Sequence, residues 1–289
     1  MNREEALKKS DEALNELTEA LKQGKSDKLL EYLGMLSRFH QYSFCNCMLI
    51  YMQQPDASLV AGFNKWKDMN RFVKKGEKGI SILAPLVGKR KQGQSQADAM
   101  VSQASDNDGE STGKVLYGFR VVYVFDVSQT EGQELAEFAS LAGDPGDKID
   151  RLEAIIRSKG IELEFANELP MDANGMSQGG KITINATRPK PQMFSTMVHE
   201  LAHEMLHWGD RRESTTKVVR ETEAEAVAYV VCRSVGLECS TKASDYIQLW
   251  SGDDKVLMQS LELIRTVASK ILTELDSADV ESKEVAHVA

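Results

Sequence analysis

The stretch "MVHELAHEMLHW", from Met197 to Trp208, contains the pattern H-E-x-x-H twice. The first copy joins His199 to His203, and the second joins His203 to His207. Residues four apart on an α-helix lie one turn apart and about 40° round the axis, so either pair of imidazoles can face one cation. Three of the five histidines of the chain fall in this stretch. It therefore predicts a metal site carried by a helix.

The two copies of the pattern are two possible registers of the metal site, and we favour the first register, in which His199 and His203 bind the metal. In the alternative, His207 would bind the metal from the last turn before Gly209, where a helix frays and holds side chains poorly. On helical geometry, Glu200 flanks the metal without binding it, and we expect Glu204 to be a solvated carboxylate. The face opposite His199 is predicted to pack in the core, and it consists of Phe194, Met197, Leu201, Met205 and Trp208.

A catalytic zinc usually takes three protein ligands and keeps a fourth position for water. The segment "RETEAEAVAYVV" begins at Arg220 and supplies two carboxylates on one helical face, Glu221 and Glu225. We predict Glu221 as the third ligand. Glu225 either accepts a hydrogen bond from a ligating imidazole or is a solvated carboxylate. Tyr229 either packs in the core or stabilises an oxyanion.

These residues predict metal-assisted hydrolysis of a peptide bond. The expected ion is Zn²⁺ or another divalent transition metal, and Glu200 is expected to take a proton from the attacking water and return it to the leaving nitrogen. The segment "GGKITIN", directly before the metal-site helix, is predicted to be an edge strand that can pair with an extended peptide. Such pairing holds the peptide backbone and leaves side-chain preference open.

The remaining sequence predicts an α+β fold. Apolar residues recur at helical spacing through Ala6 to Leu21, Leu29 to Phe39 and Phe44 to Met52, so three helices should open the chain. The strand-like segments "GISILAPLV" and "VLYGFRVVYVFDV" follow. The polar stretch between them, residues 88–114, is predicted to be a mobile loop.

The turn-rich "LAGDPGDKID" is the predicted domain boundary. It divides the chain into an N-terminal domain over residues 1–142 and a C-terminal domain over residues 145–289. In the second domain we expect a small sheet from "IELEF" and "GGKITIN", with helices over Lys148 to Ser158, about Glu221 to Val235 and about Asp254 to Leu275.

Composition sets further limits. The chain has 289 residues, is 42% hydrophobic, and has no apolar run near the ~20 residues of a membrane span. Its first residues, "MNREEALKKSDEALNEL", lack the apolar core that is typical of a signal peptide. We therefore expect a cytoplasmic protein without a membrane partner. Its four cysteines are too few for a disulfide scaffold, and Cys45 and Cys47 are expected to pack in an apolar helix, with a metal site as the alternative.

A basic, aromatic segment stands out because the formal net charge of the whole chain is −9. Gly62 to Lys91 holds nine cations against two anions. Single-stranded nucleic acid is bound by stacking bases on aromatic rings and by drawing phosphates to cations. Trp66 and Phe72 could equally be core residues beneath a solvated cationic face. The predicted DNA-binding residues are Lys65, Trp66, Lys67, Arg71, Phe72, Lys74, Lys75 and Lys78.

With "TMVHELAHEMLHW" followed by "RETEAEAVAYVVCRSVGL", the C-terminal half resembles the zincin-like metallopeptidases linked to ArdC antirestriction proteins and, more distantly, the ImmA/IrrE metallopeptidases. That resemblance implies a metallopeptidase fold in which His199, His203 and Glu221 bind the metal. Through "YSFCNCMLIYMQQPDASLVAGFNKWKDMNRFVKKGEKGISILAP" and "VYVFDVSQTEG", the N-terminal half is similar to the ArdC-type single-stranded DNA-binding domain. The P-x-N…T-G…Y-x-G-x-N segment common in that domain is absent from this chain.

Three functions follow as hypotheses. The first is a DNA-associated metallopeptidase that holds single-stranded DNA with one domain and cuts a protein substrate with the other. The second is a non-catalytic antirestriction protein with a structural metal, which protects incoming plasmid strands. The third is a regulatory protease that cleaves a repressor without contacting DNA. A salt titration of oligonucleotide binding separates the third from the others, because phosphate contacts weaken steeply as salt rises.

Overall fold

The computed structural model describes residues 2–23, 27–89, 114–133, 143–238 and 254–286. The α+β class predicted from the sequence is confirmed. The helices are α1 (Arg3–Lys22), α2 (Asp27–Phe39), α3 (Phe44–Gln53), α4 (Phe63–Asp68), α5 (Lys148–Ser158), α6 (Lys190–Leu206), α7 (Asp210–Ser214), α8 (Lys217–Ser234) and α9 (Asp254–Ala286). The strands are β1 (Val60–Gly62), β2 (Arg71–Val73), β3 (Ile80–Lys89), β4 (Lys114–Asp126), β5 (Thr130–Gly132), β6 (Glu162–Ala166), β7 (Gly175–Ser177) and β8 (Lys181–Asn185).

The three predicted N-terminal helices are present, and polar side chains begin two of them. Asn2 accepts a hydrogen bond from the Glu5 amide while the Glu5 carboxylate accepts one from the Asn2 amide, a capping box that satisfies two amides at the start of α1. Ser43 caps α3 through the Asn46 amide. Within α3, Cys47 is fully buried, so this thiol packs in the core.

Beside these helices lie two small antiparallel sheets. The order of the first is β1-β4-β3, and β2 pairs with β5 in the second. The two long strands predicted from "GISILAPLV" and "VLYGFRVVYVFDV" are β3 and β4, and β3 pairs with β4 along its whole length, from Ile80 opposite Val124 to Lys89 opposite Lys114. The ends of the predicted loop at 88–114 are therefore strand residues, and the rest of that loop lies outside the described residues.

The C-terminal sheet corrects one sequence-based prediction. Its order is β6-β8-β7, so β8, which contains "KITIN", is the central strand and not the edge. Its backbone pairs with β6 on one side and with β7 on the other, which leaves no free side for a peptide. The edge strands are β6 and β7. Strand β7 is three residues long, and its short sequence "GMS" carries no alternating pattern that would reveal it.

One apolar core joins the two predicted domains. It contains Leu36 of α2, Leu201 of α6 and Val230 of α8 in a single cluster of contacting residues. The Ser234 hydroxyl of α8 also donates a hydrogen bond to the Ser37 carbonyl of α2. The domain boundary at 142–145 stays a prediction, since residues 134–142 lie outside the described ranges. Among the described helices, none combines the length and the apolar character needed to cross a membrane.

Candidate metal centre

Helix α6 carries the first H-E-x-x-H register, and the second register ends at His207, the residue that follows the helix. Pro191 stands in its first turn, where a missing amide hydrogen costs nothing. Phe194, Met197 and Leu201 are fully buried, so the helix is fixed in the core along the face predicted for it. Trp208 was predicted on that face and is 52% exposed, because the helix ends at Leu206 and the chain leaves the helical path before Trp208.

His199, His203 and Glu221 come together between α6 and α8. One ligating atom of each lies within 4.8 Å of the other two. The Nε2 atoms of the two histidines are 3.1 Å apart. The Glu221 Oε2 lies 3.5 Å from each of these nitrogens.

These separations fit a single small cation. Ligand bonds of about 2.0–2.1 Å arranged tetrahedrally place neighbouring ligand atoms roughly 3.3 Å apart. The observed edges of 3.1 Å and 3.5 Å bracket that value. Two imidazole nitrogens and one carboxylate oxygen also form a donor set that suits zinc and similar divalent ions. The three residues present therefore fit a divalent metal.

Glu225 and Glu221 approach His199 from opposite sides of its ring. The Nδ1 atom of His199 lies 3.5 Å from a Glu225 carboxylate oxygen, in the position needed to orient the ring. Burial lowers the pKa of His199, but the two carboxylates outweigh burial and raise that pKa to about 9. The rings of His199 and His203 in turn hold the pKa of Glu221 well below its usual range.

Glu200 lies on the wall of a cleft beside this cluster. Its side chain is largely buried, and burial is the main cause of a raised pKa for this carboxyl. The cleft has a volume of about 610 Å³. Its walls include Gly175 of β7, Thr196, His199 and Glu200 of α6, and Glu225 of α8.

The structure does not support a solvated Glu204. This residue is 8% exposed, and both carboxylate oxygens accept hydrogen bonds. The donors are the Ser177 hydroxyl, the Gly179 and Gly180 amides and the Trp208 indole. Glu204 thus anchors the turn between β7 and β8 to α6. The sequence prediction failed because three of these four donors come from β7 and the turn after it, about 25 residues away, which helical spacing does not reveal.

A second buried carboxylate, Glu223, was not predicted to have a role. It is fully buried, and one of its oxygens lies 3.0 Å from Nε2 of His207. Its other oxygen accepts hydrogen bonds from Arg211 and from the Ser260 hydroxyl. The only signal in the sequence was an acidic residue in the apolar run "EAEAVAYVV", where an unpaired charge would be costly.

Tyr229 also lines the cleft, and its side chain is 8% exposed. Its hydroxyl oxygen accepts a hydrogen bond from Arg233 at 3.1 Å. The ring therefore packs in the core, and the hydroxyl contacts the Arg233 guanidinium. A role for this hydroxyl in stabilising an oxyanion stays a prediction.

In the N-terminal basic segment, the structure separates the two predicted roles of the aromatic residues. Trp66 is fully buried and its indole donates to the Phe125 carbonyl, so this ring cannot stack on a base. Phe72 is 53% exposed, and Phe63, the other aromatic residue of this segment that the sequence offers for stacking, is 55% exposed. Arg71 is partly engaged by Thr130 through hydrogen bonds. The predicted cations on the surface are Lys65, Lys67, Lys74, Lys75 and Lys78.

Comparison with known proteins gives similarities over much of the chain. A Bacillus anthracis protein described as uncharacterised, pXO2-81, is 24% identical over 317 aligned positions, which cover 95% of this chain and 52% of that protein. The chain thus spans about half the length of this relative. Two crystal structures of the antirestriction ArdC protein from the R388 plasmid are also similar. The metal-free one has 18% identity and a TM-score of 0.42, and covers 82% of this chain and 86% of that one. The Mn(II)-bound one has 16% identity and a TM-score of 0.41, and the match covers 84% of this chain and 97% of that one.

Residues 4–125 match the family described as the N-terminal domain of anti-restriction factor ArdC. The matched range begins in α1 and ends in β4, and so takes in the N-terminal helices, the basic segment and the long β3–β4 pair. Residues 4–125 therefore form an ArdC-like N-terminal domain.

Proposed function

We propose that this ArdC-like protein is a DNA-associated, metal-dependent peptidase with an antirestriction role. The observation that carries the peptidase half is the convergence of His199, His203 and Glu221 beside a cleft whose wall holds Glu200. Three ligands and an adjacent carboxylate are the protein groups that metal-assisted hydrolysis requires.

The metal in this proposal is a divalent transition ion, with Zn²⁺ the first choice because of the two imidazole ligands. When bound, such an ion lowers the pKa of a coordinated water and polarises a carbonyl oxygen. The chain supplies the geometry: His199 and His203 from α6 and Glu221 from α8 are held by two helices that pack against each other in the core.

Glu200 is the proposed general base. It follows His199 directly on α6, so its side chain points to the flank of the ligand cluster and not at the ligands. Burial raises the pKa of its carboxyl, which makes it a better proton acceptor than an exposed glutamate. In the proposed reaction, Glu200 removes a proton from the attacking water and later delivers it to the departing amine nitrogen.

Edge strand β7 is the proposed site for the substrate backbone. One side of β7 pairs with β8, and Gly175 at its start lines the cleft next to Glu200. An extended peptide that adds to the free side of β7 would bring a backbone carbonyl towards the ligand cluster. This role was first predicted for β8, whose two sides are both paired.

The DNA-binding half of the proposal rests on the ArdC N-terminal domain and on the exposed face of the basic segment. Phe63 and Phe72 present rings to solvent among surface lysines, which is the combination that binds single strands without base-specific hydrogen bonds. We assign the stacking contacts to these two rings and the phosphate contacts to the surrounding lysines. Trp66 supports them from the core.

The proposed function is tested with purified full-length chain, casein as a general peptidase probe and metal analysis by mass spectrometry. The wild type is expected to hold about one transition metal per chain and to cleave casein. Glu221→Ala should lose the metal. Glu200→Gln should keep the metal and lose cleavage, while Glu213→Gln, an exposed carboxylate on α7, serves as the matched control with both properties intact.

Two other results would replace this proposal. The wild type could take up metal without cleaving casein, and the Glu200→Gln protein could still protect a bound oligonucleotide from nuclease digestion. This pair of results would favour a non-catalytic antirestriction protein with a structural metal. Cleavage without measurable affinity for a single-stranded oligonucleotide at low salt would favour a protease that works without DNA.

A further inference from the structure

The second H-E-x-x-H register does not form a second ligand set among the described residues. Its histidine, His207, is almost completely buried at the C-terminal end of α6. The Nδ1 atom of His207 lies 2.9 Å from Nδ1 of His203. Its Nε2 atom lies 3.0 Å from a carboxylate oxygen of Glu223. A continuous line of contacts thus runs from His203 into the protein interior.

When His203 binds a cation through Nε2, only one arrangement of protons gives every contact in this line one donor and one acceptor. The proton of the neutral His203 ring must then be on Nδ1, so Nδ1 donates to Nδ1 of His207. His207 accepts at that atom and must carry its own proton on Nε2, which donates to Glu223. Each contact in the line then has one donor and one acceptor.

The far end of the line is held from several helices. Glu223 lies on α8, and its second oxygen accepts hydrogen bonds from Arg211 of α7 and from Ser260 of α9. The side chains of His207 and Glu223 are both fully excluded from solvent. Water therefore does not compete for these contacts, and the orientation of His207 is set by the positions of three helices other than its own.

We propose that His207 and Glu223 are positioning residues that fix the ring orientation and tautomer of His203 for metal binding. This inference rests on the proposed metal centre, and it gives the doubled motif two different roles. The first register supplies the ligands His199 and His203, while the last histidine of the second register supports His203 from behind. Glu225 makes the corresponding contact to Nδ1 of His199, so both ligating rings have a partner on their second nitrogen.

The alternative is that His207 and Glu223 only fill a polar space between helices. In that case their loss would lower stability but would leave the affinity of the folded protein for metal unchanged. A test therefore has to measure metal binding directly, with the fold monitored in the same samples.

The experiment compares His207→Leu, His207→Asn and Glu223→Gln with the wild type in the full-length chain. His207→Leu removes the acceptor for His203, whereas His207→Asn keeps a side-chain oxygen close to the former Nδ1 position. His40→Leu is the matched control, since it removes a histidine outside the cluster. Zn²⁺ affinity is measured by competition with a chromophoric chelator, Co²⁺ coordination by its visible absorption bands, and folding by circular dichroism and thermal unfolding of the metal-free proteins.

His207→Leu and Glu223→Gln are expected to weaken Zn²⁺ binding about 10–100-fold and to shift the Co²⁺ absorption bands. His207→Asn should recover part of the affinity, and His40→Leu should match the wild type.

If the folded His207→Leu and Glu223→Gln proteins bind Zn²⁺ as the wild type does, with unchanged Co²⁺ spectra, His207 and Glu223 are packing residues and the inference is wrong while the metal centre stands. If the wild type takes up neither ion, the metal centre and the inference fail together. If both variants are unfolded without metal, His207→Gln decides, because its amide nitrogen can reach Glu223 from the former Nε2 position but it offers no acceptor at the former Nδ1 position. A folded His207→Gln with wild-type affinity and spectrum contradicts the inference, and reduced affinity supports it.

Discussion

Gly175 places the backbone of the edge strand directly against Glu200. A Cβ atom at position 175 would meet Cγ2 of Thr196 at 2.4 Å and the Glu200 Oε1 at 3.2 Å. No side chain larger than hydrogen fits there without movement of β7, of α6 or of the Thr196 side chain. The separation between the proposed base and the proposed substrate strand therefore depends on this glycine.

Gly175→Ala is predicted to push β7 away from α6. Overpacking of this kind costs about 1–3 kcal/mol of the free energy of unfolding, and the displaced strand should reduce casein cleavage by more than the loss of folded protein explains. Thermal unfolding and cleavage rates measure the two effects. Gly62→Ala is the control, because a Cβ there meets nothing within 4 Å. Equal cleavage by Gly175→Ala and Gly62→Ala would remove β7 from the substrate site.

Glu204→Gln is predicted to loosen the turn that carries β7. The substitution replaces one carboxylate oxygen by an amide nitrogen that cannot accept, so either the Gly179 amide, or the Gly180 amide together with the Trp208 indole, loses its acceptor. Each donor left unsatisfied costs about 1–3 kcal/mol, so the free energy of unfolding should fall by about 2–4 kcal/mol. Urea unfolding followed by tryptophan fluorescence measures this change. The exposed control Glu213→Gln should stay within about 0.5 kcal/mol of the wild type, and a Glu204→Gln protein as stable as that control would show that the anchor contributes nothing.

The cluster of His199, His203 and Glu221 was predictable because the spacing of residues within each helix already shows which side chains share a face. His199 and His203 share one helix, and the helical spacing of Glu221 and Glu225 places both carboxylates on one face. The structure brings this face against α6, although nothing in the sequence demanded that packing. The helices α1, α2, α3 and α5 were equally predictable, since apolar periodicity records which face of a helix is buried.

The features that the sequence concealed are those that depend on distant partners. Glu204 looks like a solvated carboxylate until the β7–β8 turn is placed beside it, and Glu223 gains its role from Arg211 and Ser260 on other helices. A three-residue strand such as β7 is too short for an alternating pattern. Trp66 stands among lysines in the sequence, yet the buried position of its ring is decided by its packing and by the Phe125 carbonyl.

Asp126 is predicted to make the stability of the N-terminal half depend on pH. The side chain is buried, which raises the pKa of its carboxyl, but hydrogen bonds from the Ser58, Leu59 and Ser128 amides and from the Ser128 hydroxyl outweigh burial and lower this pKa. A carboxyl with a lowered pKa in the folded state stabilises the fold above the unfolded value of about 3.9, and this contribution disappears as the pH falls through the folded pKa.

Asp126→Asn should therefore lower the free energy of unfolding strongly at pH 7 and progressively less below about pH 4. Urea unfolding of both proteins at several pH values from 7 to 3 provides the comparison. A stability difference that is the same at pH 7 and pH 3 would mean that the ionised carboxylate is not what these amides stabilise.

The proposed stacking role of Phe63 and Phe72 can be tested by substitution. Phe63→Ala and Phe72→Ala should each weaken binding of a single-stranded oligonucleotide by about 1–3 kcal/mol, because each removes one exposed stacking surface. The slope of affinity against salt concentration should not change, since no phosphate contact is lost. Lys75→Ala should instead reduce that slope by about 0.7 if this lysine binds a phosphate.

Trp66→Ala should act differently, because the loss of a fully buried tryptophan costs about 3–5 kcal/mol of stability. Its effect on DNA binding is then expected to follow the fraction of unfolded protein. Fluorescence anisotropy over a salt series, with circular dichroism of every variant, measures both quantities. Phe165→Ala is the matched control, as Phe165 is an exposed phenylalanine on β6 in the C-terminal half. If Phe63→Ala and Phe72→Ala bind the oligonucleotide as tightly as Phe165→Ala does, the exposed rings of the basic segment are not the stacking surface and the lysines alone attract the strand.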